Sequence, residues 1–212
     1  DALRKQLSKG EKALIPAIVG HRTATAFTDL RDRLGSPLAE IPLPPPSVPG
    51  MRLNDYASRH LQDIRVRWIL GSRVVAIHGH DRRASSVDVA TSGHIIELKA
   101  DAFVYAPGGF ESGAISLDSY GKVLETHLGL PVQVPEGQLI GPDRTAEQPL
   151  FRSGLATDDH MRVLDQQNRP VFENLFAAGG VLAGAMRWSE KSGEGIAAAS
   201  AVRAADAIGD LA

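Results

Sequence analysis

The sequence contains no cysteine among its 212 residues. This absence excludes disulfides, thiolate metal sites, a nucleophilic thiol and cysteine-ligated iron–sulfur clusters in this chain, and it fits a reducing compartment. The chain also lacks an excess of one charge, with 23 Lys and Arg against 25 Asp and Glu. Because nucleic-acid-binding surfaces are strongly basic, this balance argues against a nucleic-acid partner.

No hydrophobic run is long enough to cross a bilayer. The most apolar stretch, 175–186, is mostly Gly and Ala and directly follows Glu173 and Asn174. A transmembrane helix needs about 20 apolar residues. The first residues, DALRKQLSKGEK, contain neither an initiator Met nor the apolar region of a signal peptide. We therefore expect no direct membrane span, a cytoplasmic location, and a sequence that begins within a longer chain.

What the chain does contain is an ordinary globular composition, with 43% hydrophobic and 23% charged residues. Its length suits one large domain or two modest ones. Residues 13–19 form a short apolar run that contains Pro16, which predicts an edge strand or an irregular one. Helical spacing of apolar residues predicts helices near 23–34 and over 51–64. The proline-rich stretch 36–50 between them predicts an extended connector, or a loop that covers a site.

The hydrophobic period changes to two after residue 65, which predicts an antiparallel meander. The alternating pairs and triplets are Val66/Trp68/Leu70, Val75/Ile77, Val87/Val89 and Ile96/Leu98. A strand over 103–106 then stops at Pro107. Residues 112–149 show no sustained period and predict an irregular segment. Ordered segments follow at 150–155 and 162–164, then a strand over 175–178 and an Ala-rich helix over 193–209.

Paired glycines follow two of these strands, at Gly108-Gly109 and at Gly179-Gly180. Two strands that end together without side chains predict a crevice at the carboxyl ends of a sheet, where open α/β sheets bind ligands. The last helix also begins with residues that lack a side chain, since Gly193 and Gly195 follow Ser192, the predicted N-cap. Its free N–H groups can touch an anionic or carbonyl-bearing ligand directly. The alternative is tight helix-on-strand packing without any ligand.

Several of these segments together resemble the C-terminal half of flavoproteins of the fumarate reductase and succinate dehydrogenase type. In that family a meander ends in an Ala-x-Gly-Gly turn, and a late Asn-Leu-Phe-Ala-Ala-Gly strand leads into a glycine-started helix beside the flavin. The matching stretches here are 103–113, 174–179 and 192–200. The resemblance implies an α/β protein with a partial FAD/NAD(P)-binding, Rossmann-like fold, an antiparallel meander and a loop-rich α+β cap.

The resemblance also divides the chain. It assigns 1–50 to the cap region with its proline-rich connector, and 51–111 to a helix plus the meander of the flavin-binding domain. It assigns 112–149 to an irregular cap segment and 150–212 to the C-terminal flavin-binding strand and helix. The cofactor, FAD or FMN, would be bound by a set of residues around the glycines: Gly108, Gly109, Gly179, Gly180, Gly193, Gly195, Ile196 and Ala197.

Within this family the likeness is greatest to the B subunits of anaerobic glycerol-3-phosphate dehydrogenases, carried by LPPPSVPGMRL at 43–53, GLATDDHMRVLD at 154–165 and ENLFAAGGVLAG at 173–184. It covers roughly residues 13–208. It implies a respiratory subunit that passes electrons from glycerol 3-phosphate through flavin towards quinone. It also implies partner subunits, one with iron–sulfur clusters and the membrane anchor, and hence a place at the inner face of the cell membrane.

The chain departs from that family in two ways. No strand–GxGxxG–helix unit is present, so we expect this chain to be the later half of its parent and to retain little or no flavin by itself. Related reductases place Glu where this chain has Gly180, which removes one expected contact to the cofactor. The alternatives are a flavin-free scaffold protein within the same complex, or another dehydrogenase of this fold.

Few side chains are candidates for chemistry. Arg52 is the arginine that best suits a phosphate or carboxylate, and a surface salt bridge is the alternative. Arg187 is placed to stabilise negative charge on a reduced flavin, and the alternative is a loop arginine that covers Trp188. His78 and His80 have the spacing of a metal site, but an exposed hairpin tip explains them better and we expect no metal. His21 and Glu194 are more simply a solvated histidine and a helix-start acid.

Overall fold

A computed structural model describes residues 2–23, 25–44 and 47–211, and the chain forms two compact units, 1–70 and 71–212. The whole is a mixed α/β structure with small sheets and an antiparallel meander, as predicted. The domain boundaries implied by the resemblance stay predictions, although the helix predicted over 51–64 falls in the first of these units.

The first unit is built around two short parallel strands. Its elements are α1 (Ala2–Gln6), β1 (Ala13–Pro16), α2 (Ala26–Leu34), β2 (Leu38–Ile41) and α3 (Val48–Asp63). Strands β1 and β2 pair in parallel, and a small core forms from Ala13, Leu34 and Leu38. The prediction of a plain connector over 36–50 is therefore wrong at Leu38–Ile41, where Leu38 is drawn into this core.

Helix α3 begins three residues earlier than predicted. The hydroxyl of Ser47 accepts a hydrogen bond from the N–H of Gly50 at 3.2 Å, which satisfies one of the free amides of the first turn. Pro49 lies in that first turn, where a missing N–H costs nothing. None of the helix is buried, so its apolar stripe is exposed.

The meander of the second unit consists of β3 (Arg73–His80), β4 (Arg83–Ala90) and β5 (Ile95–Lys99), paired antiparallel in that order. This confirms three of the four alternating segments. The fourth, 66–70, is not a strand. Val66, Trp68 and Leu70 stay exposed, and Leu70 is 78% exposed, because alternation makes a strand only where a partner strand and a packing surface are available.

The main core of the second unit lies under short strands. These are β6 (Phe103–Tyr105), β7 (Ile115–Leu117), β8 (Val123–Glu125), β9 (Val132–Gln133), β10 (Gly154–Leu155) and β11 (Leu175–Ala177). The predicted irregular segment 112–149 holds the β7–β8 hairpin and supplies part of this core. The buried cluster comprises Ile115, Val123, Leu130, Leu150, Leu155, Val163, Leu175, Ala177 and Val181.

The chain continues through α4 (Arg187–Glu190) and α5 (Gly193–Gly209). Helix α5 packs through Ser200, Ala204 and Ala207, with Met161 and Phe176 in the adjacent cluster. Ser192 precedes this helix, but its side chain does not cap it and instead donates to Glu190 at 2.8 Å. Among the described residues, no helix combines the length and apolar character that crossing a membrane requires.

Candidate functional site

The two strands that the sequence predicted to end together are neighbours. Strands β6 and β11 pair in parallel, and the N–H of Ala178 donates to the carbonyl of Tyr105 at 3.1 Å just where both strands stop. Gly108 and Gly179 follow with φ of +90° and +77°, a region that disfavours residues with a side chain. The strand ends therefore turn away sharply and bring the second glycine of each pair together.

Gly109 and Gly180 lie against each other and against Arg187. A Cβ on Gly109 would lie 2.6 Å from the carbonyl oxygen of Gly180 and 2.7 Å from Nη2 of Arg187. A Cβ on Gly180 would lie 2.9 Å from Nη1 of the same arginine. A side chain is excluded at these two positions because backbone and guanidinium atoms occupy the space that a Cβ would need. We name this contact, formed by Gly109, Gly180 and Arg187, the glycine seam.

Arg187 is held at the seam by Glu111. The Arg187 side chain is only 16% exposed, and its guanidinium lies 3.3 Å from Glu111. Next in the chain, the ring centroid of Trp188 lies 6.1 Å from that of Phe151, and the Phe151 ring lies edge-on to Phe110. Arg187 thus lies beside the glycines that follow β6 and β11, and its charge has a carboxylate partner. The predicted role of Arg187 towards a flavin stays a prediction.

The seam gives a testable coupling between two positions. We expect Gly180→Ala to destabilise the chain by about 1–2 kcal/mol, because the nearest obstacle is the movable end of Arg187. In an Arg187→Ala background the same change should cost little. Gly109→Ala should stay costly in both backgrounds, because its obstacle is the backbone of Gly180. A double-mutant cycle from urea unfolding measures this, and equal costs of Gly180→Ala in both backgrounds would contradict it.

The start of helix α5 is anchored to the turn after β11. The N–H of Gly179 donates to the Ser200 hydroxyl at 2.9 Å, and that hydroxyl donates onward to the carbonyl of Ile196 at 2.5 Å. A Cβ on Gly179 would lie 3.8 Å from the Cβ of Ala197, an ordinary contact. Gly179 and Ala197 are thus packing partners, and Ser200 fixes the helix against the strand end.

Gly193 and Gly195 differ from the seam glycines, because a Cβ on either would meet nothing within 4 Å. The first bond of the helix runs from the N–H of Ile196 to the carbonyl of Ser192 at 2.9 Å. In the part of the chain that the structure describes, the preceding amides of Gly193, Glu194 and Gly195 have no acceptor. Open space and free donors therefore coincide at the helix start, where a carbonyl or anionic group can approach.

Arg52 is placed in the first unit and has local partners. Its guanidinium makes a bidentate pair with Glu40, at 3.0 and 3.2 Å, and it also donates to the carbonyl of Val19. Its Nε atom is buried and has no partner in the described ranges. The role predicted for Arg52 towards a phosphate or carboxylate stays a prediction. It would require the ion pair between Arg52 and Glu40 to break.

The three histidines considered in the sequence each have a carboxylate neighbour. His78 contacts Asp88 at 2.9 Å, His80 contacts Asp81 at 2.8 Å, and His21 contacts Asp55 at 3.2 Å. Within the residues placed by the structure, no group of three or more His, Asp or Glu side chains is arranged to hold a metal ion.

Sequence reasoning missed Glu111 and Ser200, which position Arg187 and α5. Glu111 gave no signal, since its role depends on a partner 76 residues away. Ser200 did give one, because it is the lone polar residue within the apolar run IAAASAV at 196–202. A buried hydroxyl in such a run indicates a fixed hydrogen bond.

Comparison with known proteins finds the B subunits of one kind of enzyme. The chain is 30% identical over 198 residues to the B subunit of the probable anaerobic glycerol-3-phosphate dehydrogenase of Halobacterium salinarum, covering 92% of this chain and 46% of that protein. It is 30% identical over 210 residues to the corresponding protein of Yersinia pseudotuberculosis, covering 98% and 49%. The corresponding protein of Pectobacterium atrosepticum is 31% identical, with 95% and 48% covered.

The chain thus spans about half the length of the curated relatives that it matches. No solved structure matches it. The FAD binding domain family matches residues 1–196, which is nearly the whole chain and includes both glycine pairs and the start of α5. The parallel pairing of β6 with β11, the meander and the glycine-started helix agree with the resemblance seen in the sequence. This chain belongs to the FAD binding domain family.

Proposed function

We propose that this chain is the later half of a flavin-dependent oxidoreductase subunit and that it contacts FAD at the start of helix α5. The observation that supports this most is the coincidence of open space and free amides at Gly193 and Gly195. The match to the FAD binding domain family covers this segment up to Ile196. FAD is favoured over FMN because that family is described by FAD.

The residues fit such a ligand in different ways. The amides of Gly193, Glu194 and Gly195 would donate to a carbonyl or anionic group of the cofactor. Ile196 supplies apolar surface, and Ala197 with Gly179 holds the helix in place. Gly108, Gly109 and Gly180 would shape the floor of the site, where a side chain has no room. FAD, when bound, supplies two-electron oxidation and reduction.

Arg187 would act on charge at this site. Its guanidinium is mostly buried at the glycine seam and is balanced by Glu111. A positive group at this place favours any negative charge that develops nearby. Gly180 lies against this guanidinium, so the acid that related reductases have at that position would not fit here without moving Arg187.

The reaction is proposed from the relatives. We propose that the intact protein oxidises glycerol 3-phosphate and passes the electrons towards a quinone. It would do so with partner subunits, one carrying iron–sulfur clusters and holding the complex at the inner face of the cell membrane. Another small acid is the alternative substrate, and turnover of glycerol 3-phosphate by the purified complex separates the two.

A second candidate function is a scaffold without flavin. The observation that favours it is the glycine seam itself, since Gly109 and Gly180 are already filled by backbone and by Arg187. Their lack of side chains therefore does not require a ligand. The two candidates differ at Gly193 and Gly195, where packing gives no reason for glycine.

We test the proposal with two matched glycines of one helix, in the full-length polypeptide. Gly195 and Gly209 both have open space at Cβ and an ordinary φ. We expect Gly195→Leu to lower FAD affinity at least about tenfold, since about 1.4 kcal/mol of lost contact suffices. Gly209→Leu should leave it unchanged. Titration by flavin fluorescence measures both, and equal affinities would remove α5 from the site.

A further inference from the structure

Arg187 and Glu111 contact each other through both nitrogens and both oxygens of their charged groups. Nη1 of Arg187 lies 3.3 Å from Oε1 of Glu111, and Nη2 donates to Oε2 at 3.4 Å. Such side-by-side pairing fixes the direction of a guanidinium as well as its distance. Among the ion pairs that the described residues form, the Arg187 side chain is the least exposed cation, at 16%. Water therefore screens its charge less than it screens the other cations of these pairs.

Glu111 lies in a turn that other hydrogen bonds hold in shape. The Ser112 hydroxyl donates to the carbonyl of Gly109 at 3.1 Å, and the amide of Ala114 donates to the same carbonyl at 3.0 Å. These bonds do not involve Arg187, which comes from a segment 76 residues away. We therefore expect this turn to keep its shape when the ion pair is removed.

Arg187 also begins in a turn that is closed by its own contacts. The Glu190 carboxylate accepts from the amide of Met186 at 3.2 Å and from the hydroxyl of Ser192 at 2.8 Å. The guanidinium is confined in addition by the two glycines of the seam. Loss of Glu111 should therefore leave the arginine in place and remove only the charge that balances it.

The two charges of this pair are unequally exposed. The Arg187 side chain is 16% exposed, whereas that of Glu111 is 40% exposed. Because water screens the carboxylate more strongly, the carboxylate lowers the positive potential at the seam without cancelling it. The strength of the arginine charge at this place is thus set by its partner.

The pair lies next to the turn that holds the start of helix α5. A Cβ on Gly180 would lie 2.9 Å from Nη1 of Arg187, while a Cβ on Gly179 would lie 3.8 Å from the Cβ of Ala197. Two consecutive residues therefore contact the guanidinium and the helix whose first turn carries the free amides. A charge at the seam is close to any ligand that these amides bind.

We propose that Glu111 restrains the positive charge that Arg187 presents to bound FAD, and that the pair thereby sets the reduction potential of the site. This inference rests on the proposed function. Negative charge that develops when FAD is reduced is favoured by a nearby cation and opposed by a nearby anion. Loss of Glu111 and loss of Arg187 should therefore shift the potential in opposite directions, and loss of both should restore it.

The test compares Glu111→Gln, Arg187→Gln and the double variant in the full-length polypeptide with FAD bound. We expect Glu111→Gln to raise the ratio of reduced to oxidised FAD about tenfold at a fixed potential, which is about 30 mV for a two-electron couple. Arg187→Gln should lower this ratio to a similar degree, and the double variant should lie close to wild type. Reductive titration beside a reference dye of known potential measures all of them.

Glu147→Gln is the matched control, because it removes a carboxylate from an exposed arginine pair, that of Glu147 with Arg152, and it should leave the potential unchanged. Glu111→Asp keeps the charge and should also stay near wild type. FAD content is measured first. A wild type without FAD would contradict the proposed function and this inference together.

With FAD bound to wild type, several results would overturn this inference alone. These are a Glu111→Gln variant with unchanged potential, single variants that shift in the same direction, and a double variant that keeps the shift of one single variant. Loss of bound FAD from either single variant would give the ion pair a purely structural role, and it would overturn the inference as well.

Discussion

Replacing Asn174 with alanine should destabilise the chain by about 3–5 kcal/mol, the largest effect that we expect from a single substitution. Asn174 is fully buried, and its side chain makes three hydrogen bonds. Its Oδ1 accepts from the N–H of Ala84 at 2.8 Å, while its Nδ2 donates to the carbonyls of Ala84 and Asp101 at 2.8 and 2.7 Å. Loss of this amide leaves buried backbone groups without partners.

The effect should extend beyond one contact. Asn174 directly precedes β11, and its side chain bonds both the second strand of the meander and the segment before β6. Its loss therefore weakens the packing where β6 and β11 begin. Asn174→Asp keeps the acceptor but sets a carboxylate against two carbonyl oxygens, and should be at least as costly. Urea unfolding measures the free energy. The exposed Gln167→Ala serves as control, and a loss below about 1 kcal/mol for Asn174→Ala would contradict the prediction.

Replacing Glu125 should have the second largest effect, and it should depend on pH. This carboxylate is 6% exposed and accepts from the Tyr105 hydroxyl and from the amides of His127, Leu128 and Leu130, at 2.8, 2.8 and 3.0 Å for the amides. Glu125→Ala leaves four donors unsatisfied and should cost about 3 kcal/mol or more at neutral pH.

The pH dependence follows from the pKa of Glu125. Burial raises this pKa, but the hydrogen bonds from Tyr105 and from the backbone outweigh burial, so the pKa lies below its ordinary value of 4.5. Conversely, burial and the neighbouring carboxylate raise the pKa of Tyr105. The stabilisation by Glu125 is fully present above its ordinary pKa and is lost as the pH falls through the lowered one.

Wild-type stability should therefore fall more steeply below pH 4.5 than that of Glu125→Gln, which has no proton to gain. Tyr105→Phe removes one donor only, so it should raise the pKa of Glu125 and move the acid loss to higher pH. Urea unfolding at a series of pH values measures how the free energy of unfolding depends on pH in wild type, Glu125→Gln and Tyr105→Phe. Parallel curves for wild type and Glu125→Gln would show that this carboxylate does not carry the acid dependence.

Much of the second unit could be predicted from local patterns. The meander followed from alternation between Val75 and Leu98, and the last helix from its alanines, because both patterns reflect which side chains are buried. The paired glycines predicted that β6 and β11 end together at one edge of a sheet, and the structure adds that the two strands pair directly and in parallel. Strand β2 and the β7–β8 hairpin were missed, since such short strands form only where a partner strand is available. Leu38 of β2 pairs with Ala13 of β1, and Ile115 of β7 pairs with Glu125 of β8.

The candidate site was predicted only in part, because contacts between distant segments leave no local pattern in the sequence. The sequence indicated a reason for glycine at four positions but not what occupies the space beside each. These positions are Gly109, Gly180, Gly193 and Gly195. At Gly109 and Gly180 the answer is backbone and Arg187, a contact between segments about 70 residues apart that no local pattern reports. At Gly193 and Gly195 the space is open, as a ligand site requires. Asn174 and Glu125 were missed because single polar residues reveal their partners only in the folded chain.

The most direct test of FAD binding at this fold is the visible absorption spectrum of the purified full-length polypeptide, with the released ligand identified by chromatography. We expect a flavin spectrum with about one FAD per chain, and little or no flavin in the 212-residue chain purified alone. A folded, colourless full-length polypeptide that still assembles with its partner subunits would contradict flavin binding and would make this chain a scaffold whose glycines serve packing alone.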